Sequence, residues 1–222
     1  MDVIEAIRTR KSIRGYKPDP VPKEILKEIL EVAVRSPSAM NTQPWEITVV
    51  TGEVLDSIRK GIIEMLTSGN LPNPDIPMES YQGIYRQRQV DLAVQLFQLM
   101  GIAREDREKR DAWMQRGLRF FDAPAAIILS IDKSLGLSRP LSDIGAIAQT
   151  ICLAAMNYGL GTCINGQGIM CPEVVRRFTG IPESKLMILC IAIGYPDWDF
   201  PANKLETKRE PTENNTAWPG FD

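Results

Sequence analysis

The chain contains no histidine. That absence excludes Ser-His and Cys-His catalytic arrangements and most zinc sites, because both depend on an imidazole. The four cysteines, Cys152, Cys163, Cys171 and Cys190, form no CxxC pair. Cys152 and Cys190 lie inside apolar runs and read as small core residues, while Cys163 and Cys171 flank a glycine-rich stretch. All four are expected to be reduced and structural, as in a cytoplasmic protein, and no metal centre is expected. Long hydrophobic runs are missing too. The longest, Leu186 to Ile193, falls far short of a bilayer-spanning helix, which needs about 20 residues. Met1-Asp2-Val3-Ile4-Glu5 has neither a basic start nor a long apolar segment, so no signal peptide is expected. A net charge of −2, from 26 basic and 28 acidic residues, gives no global field favouring nucleic acid or a membrane surface. The basic residues that matter must act locally.

At 222 residues, 44% of them hydrophobic, the chain is long enough to bury a sizeable core. Residues 2–10 place Val3, Ile4 and Ile7 at helical spacing. Pro22 opens a second helix with a stripe of Ile25, Leu26, Ile29, Leu30 and Ala33, which Pro37 ends. Trp45 to Thr51 alternates and is β-branched, which predicts a strand, followed by a helix over about 53–67. Residues 68–80, with three prolines, read as a loop, and 82–117 as a long helical region with an apolar stripe of Leu92, Leu96, Leu99 and Met100. The mixed-charge run Arg104 to Asp111 reads as a solvated face. Ala125 to Ile131 and Lys185 to Tyr195 are continuously apolar and predict buried strands; Asp143 to Tyr158 predicts a central helix. The pattern is that of an α+β fold in one domain, residues 1–222, with a helical insertion at 68–120 and an irregular extension at 196–222. That extension holds four prolines and two tryptophans; it is too apolar to dangle, and is expected to wrap a partner subunit.

Chemistry concentrates in two segments. Ser36-Pro37-Ser38-Ala39-Met40-Asn41-Thr42-Gln43-Pro44-Trp45 joins a helix to a strand, yet carries hydroxyls and amides that a plain connection does not need. Arg8, Arg10, Lys11 and Arg14 crowd within seven residues, with Ser12 among them. A phosphate would neutralise such a cluster through charge-assisted bonds. Cations decorating a helix C-terminus would explain it equally well, and these residues alone leave both readings open. Together the two segments suit an anionic, polyhydroxylated, planar ligand such as flavin mononucleotide. Gly159-Leu160-Gly161-Thr162-Cys163-Ile164-Asn165-Gly166-Gln167-Gly168 follows a helix rather than a strand, so it is not a Rossmann fingerprint. Gly159 or Gly161 reads as the helix stop, and Asn165-Gly166 as a turn or a place of close backbone approach to a flat ligand. Lys204, Lys208 and Arg209 in the tail, taken alone, read as solubilising charge.

Taken in order, these segments resemble the FMN-dependent nitroreductase superfamily over essentially the whole chain. Arg10-Lys11-Ser12-Ile13-Arg14 is similar to the family's R-[RK]-S-x-R motif, which holds the FMN phosphate and the polar edge of the ring. Pro37-Ser38-Ala39-Met40-Asn41-Thr42-Gln43-Pro44-Trp45 resembles its P-S-x-x-N-x-Q-P-W motif, contributed from the other subunit. Gly159 to Gly166 matches the stretch beside the flavin, where a main-chain N–H faces N5, and Arg209-Glu210-Pro211 resembles a C-terminal R-x-P. The insertion from Tyr81 to Phe121 and the Trp218-Pro219-Gly220-Phe221 ending look most like reductases of the nitrobenzoate type.

The resemblance implies a nitroreductase-like fold, with a central mixed β-sheet flanked by helices and the insertion roofing the active site. It implies a homodimer, FMN as cofactor, NADH or NADPH as electron donor, and a nitroaromatic or quinone acceptor reduced by a ping-pong two-electron mechanism. Neither nucleic acid nor a membrane is an expected partner. The cofactor set it implies is Arg10, Lys11, Ser12, Arg14, Pro37, Ser38, Ala39, Asn41, Ile164, Asn165, Gly166, Lys208 and Arg209, with the Gly166 backbone beside the reacting atom. Tyr81, Tyr85, Arg88 and Trp113 are candidate substrate contacts. The chain departs from several relatives at Asn165, where they carry an acidic residue, and at Lys208, directly adjacent to Arg209. Reductive dehalogenation within the superfamily, or a non-catalytic FMN-binding redox sensor, are the alternatives.

Overall fold

A computed structural model describes residues 2–77 and 79–221. Met78, in the expected 68–80 loop, and the two terminal residues lie outside the described residues. Helix α1 (Val3–Thr9) opens on Asp2, whose carboxylate accepts the Ile4 N–H at 3.2 Å as an N-cap. Helix α2 (Lys23–Ala33) starts after Pro22 and buries Leu26, Ile29 and Ala33, the stripe its spacing predicts. Strand β1 (Glu46–Thr51) leads directly into α3 (Gly52–Thr67).

The expected long helical region at 82–117 is two helices, α4 (Gly83–Leu99) and α5 (Arg107–Leu118). Gly101, at φ 63°, breaks them, and Asp106 caps α5 by accepting the Lys109 N–H at 3.0 Å. The charged run is thus largely a helix start facing solvent. Strand β2 (Ala125–Asp132) and helix α6 (Pro140–Met156) follow as expected. Helix α7 (Pro172–Thr179) has no counterpart in the sequence reading, although Pro172 at its start and Gly180 (φ 73°) after its end are ordinary helix punctuation. Its brevity hid it.

Strand β3 (Gly161–Asn165) corrects the loop expected there. Gly159, at φ 68°, is the helix stop, but Gly161 serves close approach rather than a turn. A Cβ on it would stand 2.5 Å from Ile13 and 2.8 Å from Pro196. Strand β4 (Lys185–Gly194) completes a sheet of order β1-β2-β4-β3. The expected mixed sheet is antiparallel at all three pairings of these strands. Its parallel component is one isolated bridge, Ser12 to Thr162. Continuous apolar runs report burial on both faces and do not fix strand direction; the mixed sheet is what the family resemblance implies.

The layers follow from the period of two in a strand. Ile127, Leu129, Ile191 and Ile193 face α2 and α6, packing on Ile29, Ile147 and Ile151. Their alternates Ala126, Ile128, Cys190 and Ala192 face α3 and α7, packing on Leu55, Ile58, Ile62 and Val175. Each such fully buried Ile or Leu contributes about 1.5–3 kcal/mol relative to an exposed one. A third, smaller cluster joins the insertion to the C-terminal extension: Leu96 of α4 and Trp113 of α5 pack with Ala202 and Leu205. Beyond Leu205 the extension is exposed through residue 221 and is tied to α4 by an Arg88–Glu210 ion pair at 2.8 Å.

Gly168 sits against Phe120, a fully buried ring only 2.5 Å from where a Cβ would lie. Gly168→Ala should therefore lower stability by about 1–3 kcal/mol, read as a lower urea midpoint at unchanged slope. Gly145→Ala on α6, where a Cβ meets nothing within 4 Å, should be neutral or stabilising.

Candidate functional site

Strand β3 is an edge strand, and the N-terminal segment closes the first half of that edge. Ile13 donates its N–H to the Thr162 carbonyl at 2.9 Å, beside the Ser12–Thr162 bridge, and buries its side chain. Tyr16 extends the attachment by a bridge to Pro196, its hydroxyl donating to Ile13 O (2.8 Å) and Ala192 O (3.2 Å). Burial holds the Tyr16 phenol well above its ordinary pKa, so that hydroxyl stays a donor.

The backbone at Arg14 and Gly15 is fixed from the far end of the chain. Asn203, 1% exposed, accepts the Arg14 N–H at 2.7 Å and the Gly15 N–H at 3.2 Å. Its amide donates to Gly15 O at 2.8 Å and Asp197 O at 2.7 Å. This residue escaped the sequence reading. A lone Asn in a Pro-rich segment 188 residues away gives no local signal.

Two hollows flank this attachment. One, of about 230 Å³, is lined by Arg10, Lys11, Thr162 and Trp198. The other, of about 290 Å³, is lined by Arg14, Ile164, Asn165 and Gly166 together with Trp113, Met114 and Phe121. No carboxylate lines either hollow, and among the described residues none of Arg8, Arg10, Lys11 and Arg14 forms an ion pair with a carboxylate. A wider hollow, about 670 Å³, lies elsewhere, and its Arg176 is already paired with Asp75 at 2.7 Å. The unneutralised cations make the smaller pair the better candidate for an anionic ligand. At Gly166 a Cβ would meet nothing within 4 Å, so its backbone borders open space. Asn165 is buried and committed: its amide donates to Gly117 O at 2.7 Å and its carbonyl accepts the Gln167 N–H at 2.8 Å. Cys163 lies between the two halves; burial raises its thiol pKa against the opposing pull of Arg14, Ser12 and Arg10. It is a neutral wall, not a nucleophile.

The structure thus gathers Arg10, Lys11, Ser12, Arg14, Ile164, Asn165, Gly166 and Trp113. Pro37, Ser38, Ala39 and Asn41 stand apart. Ser36 donates to the Thr150 hydroxyl at 2.7 Å and Asp143 accepts the Ala39 N–H at 3.2 Å, which anchors that loop along α6 between Asp143 and Thr150. Met156, beside Arg10, is 13 residues beyond Asp143 on the same helix, about 20 Å at 1.5 Å per residue, and six beyond Thr150, about 9 Å. Arg209 bonds only within its own segment, to Thr207 and the Lys208 carbonyl. Tyr81 and Tyr85 are exposed and outside both hollows, and Arg88 is paired with Glu210.

Backbone strain marks the same places. The non-glycine residues at positive φ, among those described, are Met40, Asn41, Gln43, Phe120, Phe121 and Asp122. Each such residue costs of order 1–3 kcal/mol, and such residues cluster where a site over-determines its geometry. Met40 carries its side chain 93% exposed at the crest of one strained turn, and Phe121 lines a hollow from the other.

Known proteins resemble this chain over nearly its whole length. The chain is 31% identical over 217 residues to a chloronitrobenzene nitroreductase of Comamonas testosteroni, spanning 96% of this chain and 95% of that protein. It is 29% identical over 221 residues to a 4-nitrobenzoate reductase of Nocardioides sp. (strain LMS-CY), spanning 96% and 87%. The crystal structure of an FMN and NADPH-dependent nitroreductase from Sphigopyxis sp. strain HMH superposes with a TM-score of 0.94, covering 100% of both chains at 28% identity. The profile of the Nitroreductase family matches residues 7–195, and on the breadth of that match the chain belongs to the nitroreductase family.

Proposed function

We propose that the protein is an FMN-dependent oxidoreductase that uses NADH or NADPH to reduce nitroaromatic or quinone-type acceptors. The observation that carries this reading is the cation cluster without carboxylates, held against an edge strand beside an open glycine backbone. The names of its relatives, several of them nitroaromatic reductases, support the substrate class.

The donor set fits FMN. Arg10, Lys11 and Ser12 would hold the phosphate through charge-assisted bonds. Gly166, with no Cβ, would let the backbone approach a flat ring face, beside Ile164 and Asn165. Arg14 would set a positive charge at the polar edge of the ring, where two-electron reduction leaves negative charge. FMN, when bound, supplies the electron transfer between nicotinamide and acceptor. The chain orients the reactants, keeps water from part of the ring and leaves protons to solvent. Trp113 and Met114 of α5, within the 68–120 lid, would offer an apolar wall to the acceptor. Donor and acceptor would use this one space in turn, giving ping-pong kinetics.

The motif of Pro37, Ser38, Ala39 and Asn41 would serve the cofactor of a second copy. Its Ala39 anchor lies about 20 Å along α6 from its own Arg10 hollow, and the Met40 and Asn41 side chains are exposed, while the Ser38 hydroxyl accepts the Gln43 N–H at 3.0 Å. The apolar face of α1 (Val3, Ile4, Ile7), with Trp218 and Phe221 in the extension, is exposed and would be covered in a homodimer. Four unpaired, buried cysteines fit a reducing, cytoplasmic setting.

Purified protein should absorb near 450 nm, bleach anaerobically with NADH or NADPH, and recolour on adding a nitroaromatic. A protein that stays colourless after mixing with FMN would refute the reading, whereas one that binds FMN but never bleaches would be a redox sensor or store. Lys208 and Arg209 enter through their motif alone. Arg209→Ala should weaken FMN binding by about 1.5–3 kcal/mol, the range for charge-assisted contacts, and wild-type affinity in that titration removes them from the site. Dilution through the dimer's dissociation range should release FMN in step with monomer formation, followed by light scattering and flavin fluorescence. Tight FMN binding by the monomer would overturn the shared site.

A further inference from the structure

Arg116 belongs to none of the sequence motifs. It lies on α5 three residues after Trp113 and two after Met114, both of which border the 290 Å³ hollow. Its Nη2 donates to the carbonyl of Arg14 and to that of Phe121, each at 3.2 Å. Its Nη1 pairs with Asp122 at 2.9 Å, and the guanidinium lies 4.7 Å over the Phe200 ring. Its Nε is buried with no hydrogen-bond partner. The side chain is 24% exposed, and leaving its one buried N–H unmatched is unfavourable.

What the arrangement achieves is geometric. One nitrogen of the planar fork bonds two carbonyls and the other holds Asp122, which links α5 to the Arg14 backbone and to the 120–122 turn. The same residues touch a second time through their side chains. The Arg14 guanidinium lies 6.0 Å over the Phe121 ring, and that ring is 6.4 Å from Trp113. Asn203 accepts the N–H groups of Arg14 and Gly15, and the Arg116 guanidinium links the Arg14 carbonyl to the insertion helix that carries Trp113.

We infer that Arg116 is a positioning residue that couples the placement of α5 to Arg14, so that the contact of an aromatic acceptor with Trp113 and Met114 bears on the charge Arg14 presents to the FMN ring. This rests on the proposed function. Lysine at this position would keep a positive charge but has one nitrogen in place of two, so it could not hold Asp122 from one nitrogen and the two carbonyls from another.

The test is the FMN midpoint potential of the flavin-loaded protein beside Arg116→Lys and Arg116→Met. Both variants should bind FMN and melt cooperatively. Both should discriminate about tenfold less between reduced and oxidised FMN, a potential lower by about 30 mV for a two-electron couple. A wild-type potential in either variant would overturn the inference, the lysine case because charge alone would then suffice. Failure of Arg116→Lys to fold would mark the residue as structural and overturn it as well. Wild-type protein that takes up no FMN would instead remove the proposed function, so the two failures are distinguishable.

Discussion

Closing the outer edge of β3 is the constraint on which the site depends. An unpaired edge strand offers its backbone groups to any passing chain, and here the N-terminal segment takes that place. One hydrogen bond, Ile13 N–H to Thr162 O, sets the register. Ile13 then drops into the core against Gly161, and its flanking residues are turned toward the two hollows. Side chains follow backbone: once Ile13 is buried, Arg10 and Lys11 border one hollow and Arg14 the other. Their mutual repulsion is a standing cost that packing of Ile13 and the Asn203 bonds offset. A structure that tolerates such a cluster without carboxylates is arranged for an anion that arrives from outside.

Helix α6 supplies the second constraint, a distance. It packs its buried face on β2 and β4 and carries the 36–45 loop near one end and the Arg10 hollow near the other. As a rigid spacer the helix holds the Ala39 anchor at Asp143 about 20 Å from Met156 in the Arg10 hollow. The strained turns at 40–43 and 120–122 stand where this geometry is most demanding. One presents the outward-facing motif, and the other bends the chain between the insertion and β2 so that Phe121 can lie beneath Arg14.

Much of the fold was legible because its signals are local. Ile29 and Ala33 announce their helix face by spacing, and Ile127 and Ile191 announce burial by the company they keep. Helix α7 was too short for its period to register, and strand direction leaves no trace in composition. Glycine was ambiguous for a physical reason. Gly159 is needed for its φ and Gly161 for its missing Cβ, and a sequence does not say which. The motif residues of the site were visible as unusual clusters. Asn203 and Arg116 were not, since each acts on Arg14 from 189 and 102 residues away. Residues that touch a ligand are drawn from a few chemical types, whereas those that hold them in place are recognised only by their contacts.

The missing histidine acquires a structural sense in this setting. Neither hollow is lined by a carboxylate, a histidine or an accessible low-pKa thiol, so the walls offer no side chain suited to relay protons near neutral pH. What they offer is fixed positive charge, an open backbone at Gly166 and an apolar wall at Trp113 and Met114. That inventory suits a reaction in which electrons move through a bound cofactor and protons come from water. It would serve poorly for hydrolysis or acyl transfer, where the protein itself must donate and accept protons in register with bond breaking. In such a site selectivity falls to placement, and placement here runs through the backbone of Arg14, held by an amide from the C-terminal extension and a guanidinium from the insertion.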